Sequence, residues 1–234
     1  MDELSQAIVM ALRMMWEADA TLVEIVSLTL QVSLSAVTLA TLLALPLGGA
    51  MALLRFPGRR ALIILFNTFM GLPPVVVGLL VYLLLSRSGP LGGLGLLFTP
   101  QAMIIAQCIL VVPIVASLSR QVLEGLWEEY GEQLHSLGST RMRSLGTLIV
   151  EGRFALITVI LAGFGRVIAE VGAVLIVGGN IAHVTRVMTT AIALETSKGD
   201  LALALALGLI LITLSLMVNG AAQWVREYEG WRHG

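Results

Sequence analysis

The sequence predicts an all-α integral membrane protein with about five transmembrane helices. Apolar residues make up 57% of the 234 residues, and charged residues contribute only 12%, about half the share of about 25% that is usual in soluble domains. The mean hydropathy is +0.94. A soluble chain of this length could bury a core, but it could not cover its surface with so few charges. The apolar residues also cluster in stretches of spanning length.

Five apolar stretches have the length that a spanning helix needs, which is about 20 residues. They lie at 23–54, 61–85, 101–118, 154–177 and 201–218. The last of them alternates Leu and Ala, which resembles the alternation of a strand. Both residue types are apolar and favour helix, and the run is longer than a barrel strand of about 9–11 residues. We therefore predict a helix there too.

The charges between these stretches predict the orientation of the chain. Nine arginines would share one side of the membrane: Arg55, Arg59, Arg60, Arg120, Arg141, Arg143, Arg153, Arg226 and Arg232. The other side would carry Arg13, Arg87, Arg186 and Lys198. The positive-inside rule places the arginine-rich side in the cytoplasm. We expect the N-terminus outside and the C-terminus in the cytoplasm, as an odd number of crossings requires.

Residues 1–20 form a separate segment in this interpretation, followed by a transmembrane domain at 21–234. Apolar residues recur in the first segment at helical spacing: Leu4, Ile8, Leu12, Met15 and Trp16. This pattern predicts an amphipathic helix on the outer membrane surface, with direct continuation into the first span as the alternative. No positive n-region precedes the first long apolar run, so we expect no cleavable signal peptide. We also expect no regulatory module beyond the tail at 224–234.

The connection at 120–153 is the longest polar segment of the chain, whereas connections in helical bundles usually have about 2–8 residues. Residues 128–137 are predicted to form a short helix, with Gly138 as its C-terminal stop. Ser139 is a suitable N-cap for a second short helix through Arg141 and Arg143. We interpret the segment as a docking element on the membrane surface. An ordinary connecting loop is the alternative.

Within this segment, Glu132-Gln133-Leu134-x-x-x-Gly138 resembles the E-A-A-x-x-x-G signature of ABC importer membrane subunits. Where that family continues with I-x-L-P, this chain has Leu148-Ile149-Val150-Glu151. The glycine, the spacing and the hydrophobic character match, and the two alanines and the proline do not. The resemblance implies a coupling helix that docks into a groove of an ATPase subunit. The residues assigned to this coupling are Glu128, Glu129, Glu132, Gln133, Leu134, Gly138, Ser139 and Arg141.

Other segments resemble one branch of that family. Leu72-Pro73-Pro74-Val75-Val76-Val77-Gly78 and Ile168-Ala169-Glu170-Val171-Gly172-Ala173 resemble the molybdate and sulfate permeases. Gly179-Asn180-Ile181 and Thr185-Arg186 most resemble the tungstate permeases. The resemblance runs from about residue 23 to the tail. It implies the type I transmembrane fold of ABC importers and tungstate, or molybdate, as the cargo.

Arg166 and Glu170 lie inside the otherwise apolar fourth span. Arg166 is 12 residues past Phe154, or roughly 18 Å along a helix, which is near the middle of a bilayer. Charges at that depth usually face the bundle interior or a water-filled cavity, and the i, i+4 spacing allows the two to pair. We expect Arg166, held by Glu170, to belong to a translocation path or its gate. A pair that only packs helices is the alternative.

Two further segments are candidates for this path. Pro73 and Pro74 interrupt the second span, and the backbone groups that they free must be satisfied by protein or water. The two prolines fit either a kink that lines the path or a simple kink without such a role. The outer segment at 178–200 contains Asn180 and Thr185 and predicts either a helix over 184–194 that dips toward the path or a surface loop.

The sequence also bounds the partners. Five spans are too few to enclose a path, so we expect a homodimer. The resemblance adds two ATP-binding subunits and an extracytoplasmic oxyanion-binding protein, in the inner (plasma) membrane of a prokaryote.

No G-x-x-x-x-G-K-[ST] sequence occurs, so ATP and Mg would belong to the ATPase subunit, and we expect no cofactor on this chain. His135, His183 and His233 lack metal-site spacing, and the net charge of −1 does not indicate nucleic acid.

Two other function classes were weighed. A stand-alone secondary carrier or channel for a small anion would usually be built from two related halves, and no internal repeat is visible. A membrane-embedded enzyme would need a catalytic partner for Glu170 in another span, and none is visible. The leading hypothesis is a non-catalytic subunit of an ATP-driven importer, with the carrier or channel as the alternative.

Overall fold

The computed structural model describes residues 2–233, with side chains described for residues 5–225. This part of the chain is all-helical. Its ten α-helices are α1 (Asp2–Trp16), α2 (Ala20–Leu53), α3 (Arg59–Phe69), α4 (Pro74–Leu85), α5 (Pro100–Ser136), α6 (Arg141–Glu151), α7 (Arg153–Ile168), α8 (Gly172–Gly178), α9 (Met188–Lys198) and α10 (Leu201–His233). Arg226, Arg232 and His233, which enter the sequence argument, lie outside the described side chains.

Three of these helices are long and apolar enough to cross a membrane, namely α2, α5 and the Leu201–Val225 part of α10. Two bent pairs pass the same test together: α3 with α4, bent by 104°, and α6 with α7, bent by 74°. The described chain therefore has three candidate spans, or up to five if each bent pair is one span. The stretch with alternating Leu and Ala is helical, as predicted.

Two of the predicted spans are not continuous helices. The stretch at 61–85 is divided between α3 and α4, because Pro73 and Pro74 have no N–H to continue a helix. Pro73 is the N-cap of α4 and Pro74 its first residue. The stretch at 154–177 is divided between α7 and α8, with Glu170 in the break. No proline marks this second break.

The N-terminal segment is a separate helix, and its direct continuation into the first span is wrong. Ala18 has a φ of 50°, which interrupts the helix. Oδ1 of Asp19 then accepts hydrogen bonds from the N–H groups of Thr21 and Leu22, at 3.0 and 3.2 Å. Such a side-chain acceptor is the usual way to begin a new helix.

The chain divides into two compact units, and the first comprises Met1–Ala36, Pro73–Gln107 and Arg166–Met217. In this unit α4 packs against α8 at very short range. A Cβ atom on Gly78 would lie 2.8 Å from the Cα of Ala173. Only glycine allows this approach, because the obstacle is backbone and cannot rotate away.

The second unit comprises Val37–Leu72, Cys108–Gly165 and Val218–Gly234. Its core joins the end of α2 to α5, α6 and α7 through five buried side chains: Ala52, Leu53, Leu123, Leu148 and Leu156. Trp127, Leu134 and Leu145 are partly buried against this core. The connection at 120–153, the predicted coupling segment, is therefore packed on the helix ends and does not project as a free loop.

Candidate functional site

The two groups of candidate residues fall in different units. All eight coupling candidates, from Glu128 to Arg141, belong to the second unit. The six path candidates belong to the first: Pro73, Pro74, Arg166, Glu170, Asn180 and Thr185. Each group is therefore a local site with its own geometry.

The coupling segment is a helix–turn–helix, but its first helix is not a short separate one. Helix α5 continues without a break from the apolar stretch to Ser136, because residues 119–127 contain no proline and bury Leu123 in the core. The glycine stop is confirmed: Gly138 has a φ of 75°, and its N–H donates to the carbonyl of His135 at 2.9 Å.

The N-cap of the following helix is Thr140, and the prediction of Ser139 is wrong. Oγ1 of Thr140 accepts from the N–H of Arg143 at 3.4 Å. The hydroxyl of Ser139 lies 3.0 Å from that of Ser144. Both candidates are good capping residues, so residue type alone could not choose between them.

The end of α5 and the turn present an exposed surface of mixed character. Glu128, Glu129, Glu132 and Gln133 are exposed. Two exposed apolar side chains flank the turn: Leu137 is 82% and Met142 65% exposed. Large apolar side chains of this exposure at the tip of an ordered segment favour a contact surface.

The C-terminus of α2 is held by two arginines from other helices. Nε of Arg59, the first residue of α3, donates to the carbonyl of Met51 at 2.6 Å, and its Nη2 donates to that of Ala52 at 3.4 Å. Nη1 of Arg141, the first residue of α6, donates to the carbonyl of Leu53 at 3.2 Å. Cations are favourable here because the last carbonyls of a helix are unpaired and carry its negative dipole end.

The same two arginines are tied to α5. The Arg59 guanidinium pairs with the carboxylate of Glu124, which also receives Nη1 of Arg120. The guanidinium of Arg141 lies over the ring of Trp127, with 5.0 Å between Cζ and the ring centroid, a cation–π contact. Arg59, Glu124, Trp127 and Arg141 line a groove of about 370 Å³. We call Arg59, Glu124, Trp127 and Arg141 the clamp.

Helix α6 ends where the family signature has its proline. Here Gly152 follows Glu151, and its N–H donates to the carbonyl of Leu148 at 2.8 Å. A Cβ atom on Gly152 would lie 2.6 Å from Cδ1 of Leu126. Close packing at a glycine thus accompanies the 74° bend, and no proline is needed.

In the first unit, Arg166 and Glu170 form the predicted ion pair, with 2.5 Å between Nη1 and Oε2. They do not share one helix face, because α7 ends at Ile168 and Glu170 lies in the break. Oε1 of Glu170 accepts from the N–H of Ala173 at 3.2 Å, and its carbonyl accepts from the hydroxyl of Thr189 at 2.8 Å. Glu170 is only 4% exposed, so its carboxylate holds the break together from inside.

Asn180 and Thr185 shape the turn between α8 and α9. Nδ2 of Asn180, a residue with a φ of 50°, donates to the carbonyl of Thr190 at 3.2 Å. Thr185 is fully buried. Its hydroxyl donates to the carbonyl of Gly178 at 2.5 Å and accepts from the N–H of Ile181 at 3.0 Å.

The outer segment contains a helix, but at Met188–Lys198 and not at 184–194. The hydroxyl of Thr29 accepts from the N–H of Met188 at 2.9 Å, which fixes the start of α9 against α2. Met188, Thr189, Thr190, Ala191 and Glu195 are buried. The surface-loop alternative is therefore wrong.

Comparison with known proteins places this arrangement in a family. The profile of the family described as "binding-protein-dependent transport system inner membrane component" matches residues 44–227. The chain belongs to this family.

Individual relatives cover most of the chain. It is 41% identical over 91% of its length to a probable anion ABC transporter permease protein of Haloferax volcanii, of which 94% is covered. It is 38% identical over 89% of its length to a tungstate uptake system permease protein of Campylobacter jejuni, with 87% of that protein covered. A tungstate uptake system permease protein of Peptoclostridium acidaminophilum is 36% identical over 97% of this chain and is covered completely.

A solved structure shares the fold. A chain of the MetNI methionine ABC transporter, in an inward-facing conformation, superposes with a TM-score of 0.72 at 18% identity, covering 92% of this chain and 97% of that one. The predicted ABC importer transmembrane fold is therefore confirmed.

Sequence analysis of this inner membrane component missed the clamp and a second ion-pair group. Arg186 and Lys198 lie 3.7 and 3.0 Å from the buried carboxylate of Glu195. In addition, Nδ1 of His183 lies 2.9 Å from Oε2 of Glu24. The i, i+3 spacing of Glu195 and Lys198 was a usable signal. Glu24 and His183 are 159 residues apart and gave none. Among the described residues, no group of three or more His, Cys, Asp or Glu could hold a metal ion.

Proposed function

We propose that two copies of this chain form the translocation path of an ATP-driven importer for tungstate or a related oxyanion. Two ATP-binding subunits would drive it, and an extracytoplasmic binding protein would deliver the anion. Membership of a family of binding-protein-dependent transport components supports the class. Two relatives are named as tungstate uptake permeases, which supports tungstate or a related oxyanion as the cargo.

The observation that carries the proposal is the anchored coupling surface. An exposed tip with Leu137 and Met142 is bound through Arg141 to the last carbonyl of α2 and to Trp127. A force applied to the tip by a closing ATPase subunit would therefore pass directly to α2 and α5. The exposed carboxylates of Glu128, Glu129 and Glu132 would contribute charge to that contact and set its orientation.

Path and gate roles belong to the first unit in this proposal. The side chain of Arg166 is 37% exposed, so its guanidinium can meet an anion while Glu170 holds it in place. Asn180 and Thr185 would act as positioning residues for the turn before α9. The break at Pro73 and Pro74 would supply the bend between α3 and α4. The binding protein would mainly determine which oxyanion is imported.

The arginine distribution supports an N-terminus outside and a C-terminus in the cytoplasm of a prokaryotic inner membrane. Helix α1 would then lie on the outer surface against lipid. Among its described side chains, Ala7 and Ala11 are buried, whereas Ile8, Leu12 and Trp16 are exposed. A small buried face with a large apolar outer face is typical of an interfacial helix.

The test is reconstitution of the chain with its ATPase subunits and binding protein in vesicles. We expect a stable complex, ATP hydrolysis stimulated by the loaded binding protein, and tungstate uptake that stops with a non-hydrolysable ATP analogue. Uptake that continues without ATP would assign the chain to the carriers or channels. Absence of a complex with an intact coupling segment would contradict the proposal outright.

A further inference from the structure

The groove beside the clamp is lined by more cations than anions. Arg55 and Glu128 line it together with the clamp residues, so its walls carry three arginines and two glutamates. The carboxylate of Glu124 also receives Arg120, which is not among the lining residues. Four arginines against two glutamates leave a net charge of +2 in this cluster. A cleft with such a surplus attracts anions.

The arginines of the groove retain donors that no acceptor in the described part of the chain uses. Arg59 donates through Nε and Nη2, and Arg141 through Nη1. A guanidinium has five N–H groups on three nitrogens, so each of the two keeps a free terminal nitrogen. Arg55 is exposed and has no hydrogen bond or ion pair to any described residue. Several donors can therefore converge on one anionic group, as in arginine sites for phosphate.

Two candidate spans, α2 and α5, place the groove at the level of lipid headgroups. No charged residue lies between Glu24 and Arg55. That distance is about 46 Å along a helix, close to the roughly 40–45 Å of a bilayer with its headgroups. Helix α5 has no charged residue before Arg120, and Trp127 follows seven residues later, about 10 Å further along. Both helices therefore put the groove just outside the hydrocarbon.

A stripe of leucines leads from the groove along α2. Leu54 lines the groove and continues the last turn of the helix, because its N–H donates to the carbonyl of Ala50 at 3.0 Å. Leu47 and Leu43 precede it by seven and eleven residues, which puts all three on one helix face. They are 39% and 58% exposed. A cationic groove that continues into an exposed apolar stripe matches the two parts of a phospholipid.

We propose that this groove binds the phosphate group of an anionic phospholipid on the arginine-rich side of the membrane. Basic pockets between transmembrane helices recognise lipid headgroups in this way. The phosphate accepts from Arg55 and from the free nitrogens of Arg59 and Arg141, and an acyl chain follows the leucine stripe. Leu137 and Met142, the exposed tip of the coupling segment, do not line the groove, so the surface assigned to the ATPase leaves it open. The assignment does not depend on the cargo.

The experiment measures lipid binding to the purified full-length chain in a non-ionic detergent. Phosphatidylglycerol is titrated in, and the unfolding temperature is recorded at each concentration. A ligand that binds only the folded state raises this temperature. We expect a saturable rise with phosphatidylglycerol and a much smaller one with zwitterionic phosphatidylcholine. Native mass spectrometry of the same samples should show phosphatidylglycerol retained on the protein.

Arg55→Gln is the test variant, because Arg55 lines the groove but takes no part in the clamp. Without lipid it should unfold at the same temperature as the unsubstituted protein, since its guanidinium has no partner to lose. Loss of one arginine beside an anionic lipid weakens binding about fivefold, so the midpoint of the titration should rise by that factor. Arg60→Gln is the matched control: Arg60 is exposed and does not line the groove. Its midpoint should not move.

Four results would overturn the assignment. Equal shifts in the two glutamine variants would show a general attraction of surface charge. Inorganic phosphate that stabilises the protein as strongly as the lipid, and displaces it, would make the groove a site for soluble oxyanions. Loss of the retained lipid on assembly with the ATPase subunits would assign the groove to that interface. Absence of any lipid effect would also contradict the proposal. Oxyanion uptake by the reconstituted complex tests the importer function separately, so either conclusion can fail alone.

Discussion

Arg59 and Glu124 are 65 residues apart in the sequence and form an ion pair in the second unit. Arg59 begins α3 and caps the last carbonyls of α2, while Glu124 lies in the middle of α5. One carboxylate therefore fixes the positions of three helix segments. It also receives Arg120 from one turn earlier in α5, so its negative charge is shared between two cations.

Replacing this carboxylate should weaken the second unit. Glu124→Gln leaves Arg59 and Arg120 without a counter-charge, and both side chains are largely shielded from water. The side chains of Arg59 and Glu124 are 31% and 28% exposed, between the surface and buried classes of ion pair, so we expect a loss of roughly 1–2 kcal/mol. Thermal unfolding of the detergent-solubilised protein would measure it. Glu17→Gln is the control, because the Arg13–Glu17 pair is 74% and 56% exposed and should contribute almost nothing. An equal effect of the two changes would contradict the assigned role of Glu124.

The clamp also predicts which arginine of α6 matters. Arg141→Ala removes the bond to the Leu53 carbonyl and the contact with Trp127. Binding-protein-stimulated ATP hydrolysis should then uncouple from uptake, with uptake falling about tenfold. Arg141→Lys should be intermediate, because an ammonium cannot make both planar contacts. Arg143→Ala removes an exposed charge two residues further on and should leave coupling unchanged. If the two alanine variants behave alike, net charge and not the clamp is responsible.

The turn at Gly138 allows a test of backbone geometry alone. Its φ is +75°, and a Cβ atom placed on it would meet no other atom within 4 Å. Gly138→Val therefore introduces conformational strain without a clash, on the order of 1–2 kcal/mol or more for a β-branched residue. We expect reduced coupling of hydrolysis to uptake. Gly146→Ala in α6, where the added atom also meets nothing, should be neutral or slightly stabilising. Normal uptake by the Gly138→Val complex would count against a coupling role for the turn.

Local signals account for the parts of the fold that the sequence predicts correctly. Hydropathy predicts α2, α5 and α10, the proline pair predicts the break before α4, and the glycine predicts the end of α5. The break at Glu170 has no such marker, because it depends on a side chain that accepts from Ala173 and a carbonyl that accepts from Thr189. Helix α7 therefore ends because of these tertiary hydrogen bonds and not because of the helix propensity of its residues.

The candidate sites likewise contain features that local sequence signals predict and features that depend on distant contacts. The Arg166–Glu170 pair could be predicted because four residues separate its members, as could the exposed carboxylates of the coupling segment. The clamp could not be predicted. Arg141 was assigned to coupling by resemblance, but its acceptor, the Leu53 carbonyl, is 88 residues away. Arg59 served only in the charge count, where nothing distinguished it from Arg60.

The Arg166–Glu170 pair in the first unit separates structural support from contact with the anion. Glu170→Gln keeps a hydrogen-bond acceptor for Ala173 but leaves Arg166 unpaired, so we expect both thermal stability and oxyanion uptake to fall. Adding Arg166→Gln removes the uncompensated charge, and stability should recover substantially because a neutral pair carries no desolvation penalty. Uptake should remain low in the double variant if the guanidinium meets the anion, since an amide pair cannot replace a cation at that point. Unfolding temperature and vesicle uptake, measured on the same preparations, give the two readouts. Recovery of uptake together with stability would show that Arg166 and Glu170 only hold α7 and α8 in register.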